Sequence, residues 1–171
     1  MLTIHHLRVS QSDRAVWLCE ELALDYEVKL YLRREDNMMA PDDYKALHPM
    51  GIAPVMTDGD VTLGETGAIT DYIVAKYGNG RLVPPVDSPD FPHHLYWYHF
   101  ANATLMPNMM SKMVLAMAGA GDSGAAPFLE DRKHRAWDMI EQRLSEAEFF
   151  GGSELTTADI MMMFPLTTMR N

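Results

Sequence analysis

The segment HPMGIAPVMTDGDVTLGETGAI, residues 48–69, contains a proline that could create a binding site for a peptide. Pro54 lies at the start of a β-strand pattern, although proline lacks the N–H that a strand interior needs. A cis bond before proline costs only about 0.5 to 1 kcal/mol. We expect a cis Pro54 to turn the carbonyl and the N–H of Ala53 outwards, where both could pair with an extended peptide ligand.

The same segment also predicts a site for a carboxylate. The residues Gly64-Glu65-Thr66-Gly67 open a helix pattern at the end of VTLGE, the later of the two short strands in this segment. The first N–H groups of a helix have no partner within the helix, and together with the helix dipole they favour bound anions. The sequence therefore offers a peptide-like site beside an anion site.

The elements that position this segment follow from the hydrophobic pattern. LTIHHL predicts a strand over residues 2–7, SDRAVWLCEELAL an amphipathic helix, and YEVKLYL a second strand. A short helix, two strands around an Asp-Gly turn, and the helix TGAITDYIVAKYG complete the unit. We predict a βαβαββα domain over residues 1–82, an α/β unit with a parallel pair made by crossover.

The remaining chain predicts an all-α domain. Residues 83–92, VPPVDSPDFP, hold four prolines and are interpreted as a linker. Residues 93–171 show helical patterns throughout. Thr156 and Asp159 predict a capping box at the last helix, which begins LTTADIMMMF. The expected fold class is therefore α/β plus all-α.

Composition excludes several classes of function. The formal net charge is −10, and no basic cluster offers the footprint that nucleic acid requires. The sequence shows no signal-peptide pattern and no run long enough to span a bilayer, so we expect a cytoplasmic protein without membrane contact. Cys19 is the single cysteine, which excludes an internal disulfide and a CxxC redox pair.

Other chemically capable residues have simpler interpretations. Ser10 and Asp13 fit an ordinary capping box, and Arg14 is expected to be a solvated residue of the first helical turn. Adjacent histidines in a strand point to opposite faces, so His5 and His6 do not predict a metal site, and we expect none. Cys19 falls on the apolar stripe of its helix and reads as a buried hydrophobe.

Four stretches, taken together, resemble the glutathione transferases, specifically a bacterial and fungal subgroup. They span nearly the whole chain in the order typical of that family: HHLRVSQSDRAVWLCEELALDYE, MMAPDDYKALHPMGIAPVMTDGD, GETGAITDYIVAKYG with GRLVPP, and LTTADIMMMFP. The resemblance implies a thioredoxin-like first domain that binds glutathione, and a helical second domain that lines the pocket for an electrophile. It also implies a homodimer and a role in detoxification.

The resemblance assigns roles to individual positions. Ala53 and Pro54 would hold the cysteinyl backbone of glutathione, and Glu65 and Thr66 its γ-glutamyl end. The reactive species is the thiolate, which a hydroxyl at a helix N-terminus can stabilise. SQSDRAV resembles the serine-type active-site segment, which indicates Ser10 as that hydroxyl, with Ser12 as the alternative.

The methionines of the second domain predict part of the electrophile pocket. They follow helical spacing, which is typical of adaptable core packing, and flexible thioethers also suit varied apolar substrates. The residues assigned to the pocket are Met106, Met110 and Met113.

Two features depart from the family pattern. Ile52 stands where subgroup members commonly carry a lysine that binds the glycine carboxylate of glutathione. The absence of that lysine is expected to cost about 1.5 to 3 kcal/mol of binding free energy. Candidates for compensation are Arg33, Arg34, Lys45 and His48. The helical domain is also shorter than in relatives, so we expect the apolar run IMMMFPL to be incompletely covered and the electrophile site to be open.

Two functions follow as hypotheses. The first is a glutathione S-transferase that conjugates the thiolate to small apolar electrophiles, with peroxidase side activity. The alternative is a non-catalytic binding or regulatory protein of the same fold, similar to stringent-starvation proteins. A thioredoxin-type oxidoreductase would need a cysteine near residue 10, and the chain has none there.

Overall fold

The computed structural model describes residues 1–168 and divides into two compact units, Met1–Leu82 and a second unit that begins at Val83. The first unit is a βαβαββα domain. Its elements are β1 (Leu2–Leu7), α1 (Ser12–Glu21), β2 (Glu27–Tyr31), α2 (Asp42–Lys45), β3 (Val55–Asp58), β4 (Val61–Gly64) and α3 (Thr66–Tyr77). This order confirms the predicted thioredoxin-like arrangement.

The four strands form one mixed sheet in the order β2-β1-β3-β4. The β1–β2 pair is parallel because α1 carries the chain back across the sheet, whereas the β1–β3 and β3–β4 pairs are antiparallel. The hairpin between β3 and β4 turns at Gly59, whose φ of +59° suits a tight two-residue turn.

Side-chain alternation sends neighbouring residues of β1 to opposite faces of the sheet. Leu7 packs with Tyr31, Tyr44 and Val55 in one apolar cluster, which places α2 on that face. The other face carries α1, because His6 hydrogen-bonds to Ser12 at the start of that helix. Helices α1 and α3 also contact each other.

The helix predicted over residues 12–24 is longer than the observed α1. Helix α1 ends at Glu21 rather than at Leu24, because Ala23 adopts a positive φ of +49° that ends the helical path. The N–H of Leu24 then donates to the carbonyl of Cys19 and satisfies that helix end.

The second unit is helical, as predicted. It contains α4 (Phe91–Phe100), a π-helical segment (Ala101–Leu105), α5 (Met106–Met117), α6 (Ala126–Glu146) and α7 (Thr157–Thr167). The last two residues of the predicted linker belong to α4, since Pro92 suits the first turn of a helix. The π-helical segment leads into Pro107, which lacks the N–H that would continue an α-helical register.

The predicted capping box at α7 is present. The side chain of Thr156 accepts from the backbone N–H of Ala158, and Asp159 accepts from the backbone N–H of Thr156 at 2.9 Å. The carboxylate of Asp159 also accepts from the N–H of Phe150 at 2.7 Å. This single side chain therefore joins the start of α7 to the loop before it.

The expectation that IMMMFPL is incompletely covered is wrong. Ile160, Met161, Met162 and Phe164 are buried, and Met161 and Met162 belong to the core of the second unit. The reason is that α4 packs along α7 and supplies Trp97 and Phe100 to the same core.

No helix in residues 1–168 is long and apolar enough to cross a membrane.

The carboxylate of Asp58 holds the end of β3 against α3. Its Oδ2 accepts from the Nζ of Lys76 at 2.6 Å, from the hydroxyl of Tyr77 at 2.5 Å and from the hydroxyl of Tyr72 at 3.0 Å. These donors, led by Lys76, lower the pKa of Asp58 to about 2. The ionised carboxylate is therefore the form that the fold stabilises.

We predict that Asp58→Asn removes an acid-sensitive part of the stability. A lowered pKa contributes stability that is present above the ordinary value of 3.8 and is lost as the pH falls towards about 2. The free energy of unfolding of the wild type, measured with urea, should therefore fall steeply between about pH 4 and pH 2. Asp58→Asn should be less stable at neutral pH and should show a shallower decline over that window.

The matched control is Asp60→Asn in the exposed turn that follows. It should reproduce the wild-type pH profile. An Asp58→Asn profile that keeps the full wild-type slope would show that the donors around Asp58 add no stability.

Candidate functional site

The site begins in the loop that joins β1 to α1. Ser10 and Ser12 are both buried there, and their Oγ atoms lie 2.7 Å apart. The backbone N–H of Ser12 donates to the Oγ of Ser10 at 3.2 Å. Ser10 keeps 5% of its surface exposed, whereas Ser12 keeps none. A ligand from solvent would therefore meet the hydroxyl of Ser10 before that of Ser12.

A histidine and a carboxylate lie next to these two hydroxyls and form a row of polar groups with them. The Nδ1 of His6 lies 2.8 Å from the Oγ of Ser12, and the Nε2 of His6 lies 3.6 Å from the Oδ1 of Asp13. Partial burial raises the pKa of the Asp13 carboxyl, and His6 beside it acts in the opposite direction. Four polar side chains thus follow one another from Asp13 to Ser10.

The interpretation of Ser10 and Asp13 as a capping box is wrong. Helix α1 begins at Ser12, and its N-cap residue is Gln11, which makes no side-chain capping bond. Ser10 therefore stands one residue before the capping position, and Asp13 turns towards His6. Ser10 still accepts from the backbone N–H of Ser12 at the helix start, but Asp13 makes no bond back to Ser10.

Arg33 holds the loop that carries Ser10. Its guanidinium donates three hydrogen bonds to main-chain carbonyls, to Arg8 at 2.9 Å, to Val9 at 2.8 Å and to Met38 at 2.9 Å. Val9 has a φ of +54°, a conformation that a β-branched residue adopts only when its surroundings enforce it. The planar fork of Arg33 supplies that constraint.

Gln11 connects the start of α1 to the start of α3. Its Oε1 accepts from the Nη1 of Arg14 at 2.9 Å and from the hydroxyl of Thr66 at 3.3 Å. Arg14 is fully buried, so the expectation of a solvated first-turn arginine is wrong. Because α1 and α3 pack together, the side chain of Arg14 points inwards rather than into solvent. No feature of the sequence pattern points to Gln11, because its partner Thr66 lies far away in the chain.

Glu65 has an unusual backbone conformation immediately before α3. Its φ and ψ are 65° and 120°, although it is not a glycine, and its side chain is exposed. Thr66, the first residue of α3, is buried. Non-glycine residues with positive φ cost about 1 to 3 kcal/mol and concentrate at functional sites. The sequence pattern does not reveal this conformation, which makes Glu65 a candidate for a functional position.

The Ala53–Pro54 peptide bond is cis, and it lies at the same end of the sheet. Pairing of β3 with β1 ends at Val55 opposite His5, and its pairing with β4 ends at Val55 opposite Gly64. Ala53 therefore precedes the paired part of the strand. Since β1 runs on to Ser10 and β4 runs on to Glu65, the topology brings all three segments to one edge.

Ile52 is 55% exposed beside this edge, and the candidates for compensation already have partners. Arg33 donates to carbonyls, Arg34 donates to Asp36 at 3.0 and 2.8 Å, and Lys45 pairs with Asp42 at 3.3 Å. The ring of His48 accepts from the N–H of Met50 and lies so close to Gly64 that a Cβ there would meet it at 3.2 Å.

The methionines assigned to an electrophile pocket all lie on α5. Met106 is buried, whereas Met110 and Met113 are 40% and 43% exposed. A cavity of about 480 Å³ in the second unit has a different lining, which includes Leu115, Ala116 and Pro127. The pocket role of the three methionines stays a prediction.

Cys19 and the histidines offer no alternative centre. Cys19 is fully buried, and burial, reinforced by Glu20, raises the pKa of its thiol to about 12. Its interpretation as a buried hydrophobe is confirmed. Within residues 1–168 no group of three or more histidine, cysteine, aspartate or glutamate side chains could hold a metal ion.

Comparison with known proteins gives a consistent result. The family described as glutathione S-transferase, N-terminal domain, matches residues 10–76. The chain is similar to glutathione S-transferase 3 of Schizosaccharomyces pombe, with 32% identity over 97% of this chain and 73% of the relative. It is also similar to glutathione S-transferase GstB of Escherichia coli K12, with 29% identity over 94% of this chain and 79% of that protein.

Solved structures extend the comparison to the fold. A glutathione S-transferase from Actinobacillus pleuropneumoniae superposes with a TM-score of 0.88 and 33% identity, covering 99% of this chain and 78% of that chain. A glutathione transferase from Phanerochaete chrysosporium, solved with oxidized glutathione, has a TM-score of 0.76 over 99% of this chain and 78% of that chain. Its identity is 22%, so this likeness shows the fold alone.

We predict that Arg33→Lys loosens the loop that carries Ser10. A single ammonium on a flexible stem cannot hold three carbonyls in the geometry of a planar fork, so the carbonyls of Arg8 and Val9 are held less tightly. Hydrogen exchange measured by mass spectrometry should become about tenfold faster in the peptide around residues 8–12, the equivalent of one lost hydrogen bond. Arg34→Lys, which touches Asp36 instead, is the control and should leave that peptide unchanged. Equal protection in both variants would contradict the assigned role of Arg33.

Proposed function

The chain belongs to the glutathione S-transferase family, and we propose that it joins the thiolate of glutathione to small apolar electrophiles. The observation that carries this proposal is the meeting of three segments at one edge of the sheet. These segments are the loop with Ser10, the cis bond at Ala53–Pro54, and the start of α3 at Glu65 and Thr66. Glutathione, a tripeptide with two carboxylates and one thiol, needs such a combination of groups.

In this proposal Ala53 recognises the middle of glutathione. Its backbone N–H and carbonyl would pair antiparallel with the cysteinyl residue, just beyond the point where β3 stops pairing with its neighbours. Support comes from the register, since pairing of β3 on both sides ends at Val55. The buried Pro54 would hold Ala53 in place beneath the ligand.

Glu65 and Thr66 would bind the γ-glutamyl end. The exposed carboxylate of Glu65 suits the α-amino group, and the first N–H groups of α3 suit the α-carboxylate. The positive φ of Glu65 supports this assignment, because strained backbone is concentrated at binding and catalytic sites. The bond from Thr66 to Gln11 would keep this anion site close to the loop of Ser10.

Ser10 would act on the sulfur. Its hydroxyl would donate to the thiolate and so favour the ionised thiol, which is the nucleophile. Ser10 is favoured over Ser12 because it retains some exposure, whereas Ser12 is fully buried between Ser10 and His6. The protein would add orientation, since holding thiolate and electrophile together removes much of the entropic cost of their encounter.

Ile52 predicts weak recognition of the glycine carboxylate. No lysine stands at this position, and the four neighbouring cationic or histidine side chains are engaged elsewhere. We therefore propose that affinity for glutathione depends mainly on the cysteinyl and γ-glutamyl contacts. The electrophile would meet Met106, Met110 and Met113 of α5, peroxide reduction would be a side activity, and the working form would be a homodimer.

The test is a titration of reduced glutathione into the protein at several pH values, followed by thiolate absorbance. The wild type should ionise bound glutathione at a lower pH than free glutathione, whose thiol has a pKa of about 8.5 to 9. Ser10→Ala should still bind but should lose this shift, and its kcat/KM with an aryl halide should fall by about 100-fold. Ser145→Ala, an exposed serine of α6, is the control.

The outcomes separate the two hypotheses. Retention of the shift in Ser10→Ala would contradict the role of Ser10. Absence of glutathione binding by the wild type would overturn the transferase proposal and support the non-catalytic binding protein.

A further inference from the structure

We infer that His6 accepts the proton that the thiol of glutathione loses, by a relay through Ser10 and Ser12, and that Asp13 stabilises the imidazolium formed. The inference rests on the proposed function, since it concerns the same sulfur atom. It assigns His6 and Asp13 as positioning residues, because both act through the two serines.

The geometry of the relay is continuous. The Oγ of Ser10 lies 2.7 Å from the Oγ of Ser12, which lies 2.8 Å from the Nδ1 of His6. Both distances are typical of well-formed hydrogen bonds. The main-chain carbonyl of Leu7 is a competing acceptor for the hydroxyl of Ser12, but it lies further away at 3.4 Å. A hydroxyl can donate and accept at once, so each serine can pass a proton on.

The relay requires an imidazole whose hydrogen is on Nε2 and whose lone pair is on Nδ1. Asp13 on α1 faces Nε2 at 3.6 Å. The residue opposite His6 on β2 is the apolar Leu30, and the pairing with β3 ends one residue earlier, at His5. Lys29 and Glu27 of β2 lie opposite His5 and Thr3, whose side chains point to the other face.

This tautomer sets the direction of the hydroxyls before the reaction. Nδ1 has a lone pair and accepts from Ser12, and the Oγ of Ser12 in turn accepts from Ser10. The Oγ of Ser10 then presents a lone pair towards the ligand, which is the arrangement that receives the S–H of glutathione.

The transfer is balanced in atoms and electrons. The S–H bond breaks and its proton joins the Oγ of Ser10, the original hydrogen of Ser10 moves to Ser12, and that of Ser12 moves to Nδ1. Two hydroxyls are reformed, and the net products are a thiolate and an imidazolium beside the carboxylate of Asp13. Nothing is oxidised or reduced.

The relay also explains how Ser10 can stabilise the product. After the transfer each hydroxyl is reversed, so Nδ1–H donates to Ser12, Ser12 donates to Ser10, and Ser10 donates to the sulfur. The N–H of Ser12 donates to the Oγ of Ser10 in addition and strengthens its donation to the anion. The Ser10 hydroxyl alone is too weak a base to retain the thiol proton, whereas an imidazole nitrogen with a free lone pair can retain it.

The decisive experiment counts protons. Glutathione is mixed with the wild type slightly above neutral pH in weak buffer, while an indicator dye reports released protons and absorbance reports thiolate. Capture by His6 predicts release of clearly less than one proton for each thiolate formed. Release of one full proton for each thiolate would overturn the relay, and this result requires no variant.

Variants then separate proton transfer from mere support. His6→Gln can hydrogen-bond to Ser12 but cannot accept a proton, so it should release one proton per thiolate. The pH midpoint of ionisation should rise by about one unit. Ser12→Ala should behave likewise, Ser12→Thr should restore the wild-type values, and Asp13→Asn should fall between. If His6 only supports the structure, His6→Gln should release the same number of protons per thiolate as the wild type. That result would overturn the inference.

Two controls keep the proposals apart. His5→Gln, on the opposite face of the same strand, should show the wild-type proton count. S-methylglutathione, which has no thiol proton, should bind the wild type and His6→Gln equally. Failure of S-methylglutathione and glutathione to bind the wild type would overturn the proposed function, whereas binding with a full proton released would overturn the relay alone.

Discussion

The end of backbone pairing at Val55 is the constraint on which the candidate site depends. Strand β3 lies between β1 and β4, and both of its ladders stop at this residue. The chain on each side must therefore leave the sheet at the same edge, with Ala53 before the strand, Ser10 after β1 and Glu65 after β4. Three segments distant in sequence become neighbours because of hydrogen bonds made entirely by the main chain.

Side chains then hold these segments with little freedom. Arg33 uses its guanidinium on carbonyls of the Ser10 loop, and Gln11 joins the first turns of α1 and α3. The strained conformations of Val9 and Glu65 lie directly beside these contacts. Strain of this kind persists only where surrounding bonds enforce it, and the same bonds reduce the entropy lost when a ligand is positioned.

Electrostatics at the site are local rather than global. The chain carries a net charge of −10, yet the proposed ligand is itself anionic. Main-chain N–H groups at the start of α3 and a hydroxyl relay that ends at His6 give the site its own polarity, and neither depends on the summed charge. Exposed Ile52 adds no positive charge, so specificity would come from directed hydrogen bonds rather than from attraction at long range.

The amino-acid sequence by itself determined the order of elements, the change from an α/β to a helical pattern, the capping box at Thr156 and the buried character of Cys19. Such features depend on local periodicity and on residue types that act within a few positions of the chain. Tertiary structure alone decided that Arg14 is buried, that Asp13 faces His6 instead of capping α1, and that Gln11 links two helices. Side-chain direction at a helix start depends on what packs against it. The sequence pattern carries no record of that neighbour, because the contacts join residues as far apart as Gln11 and Thr66.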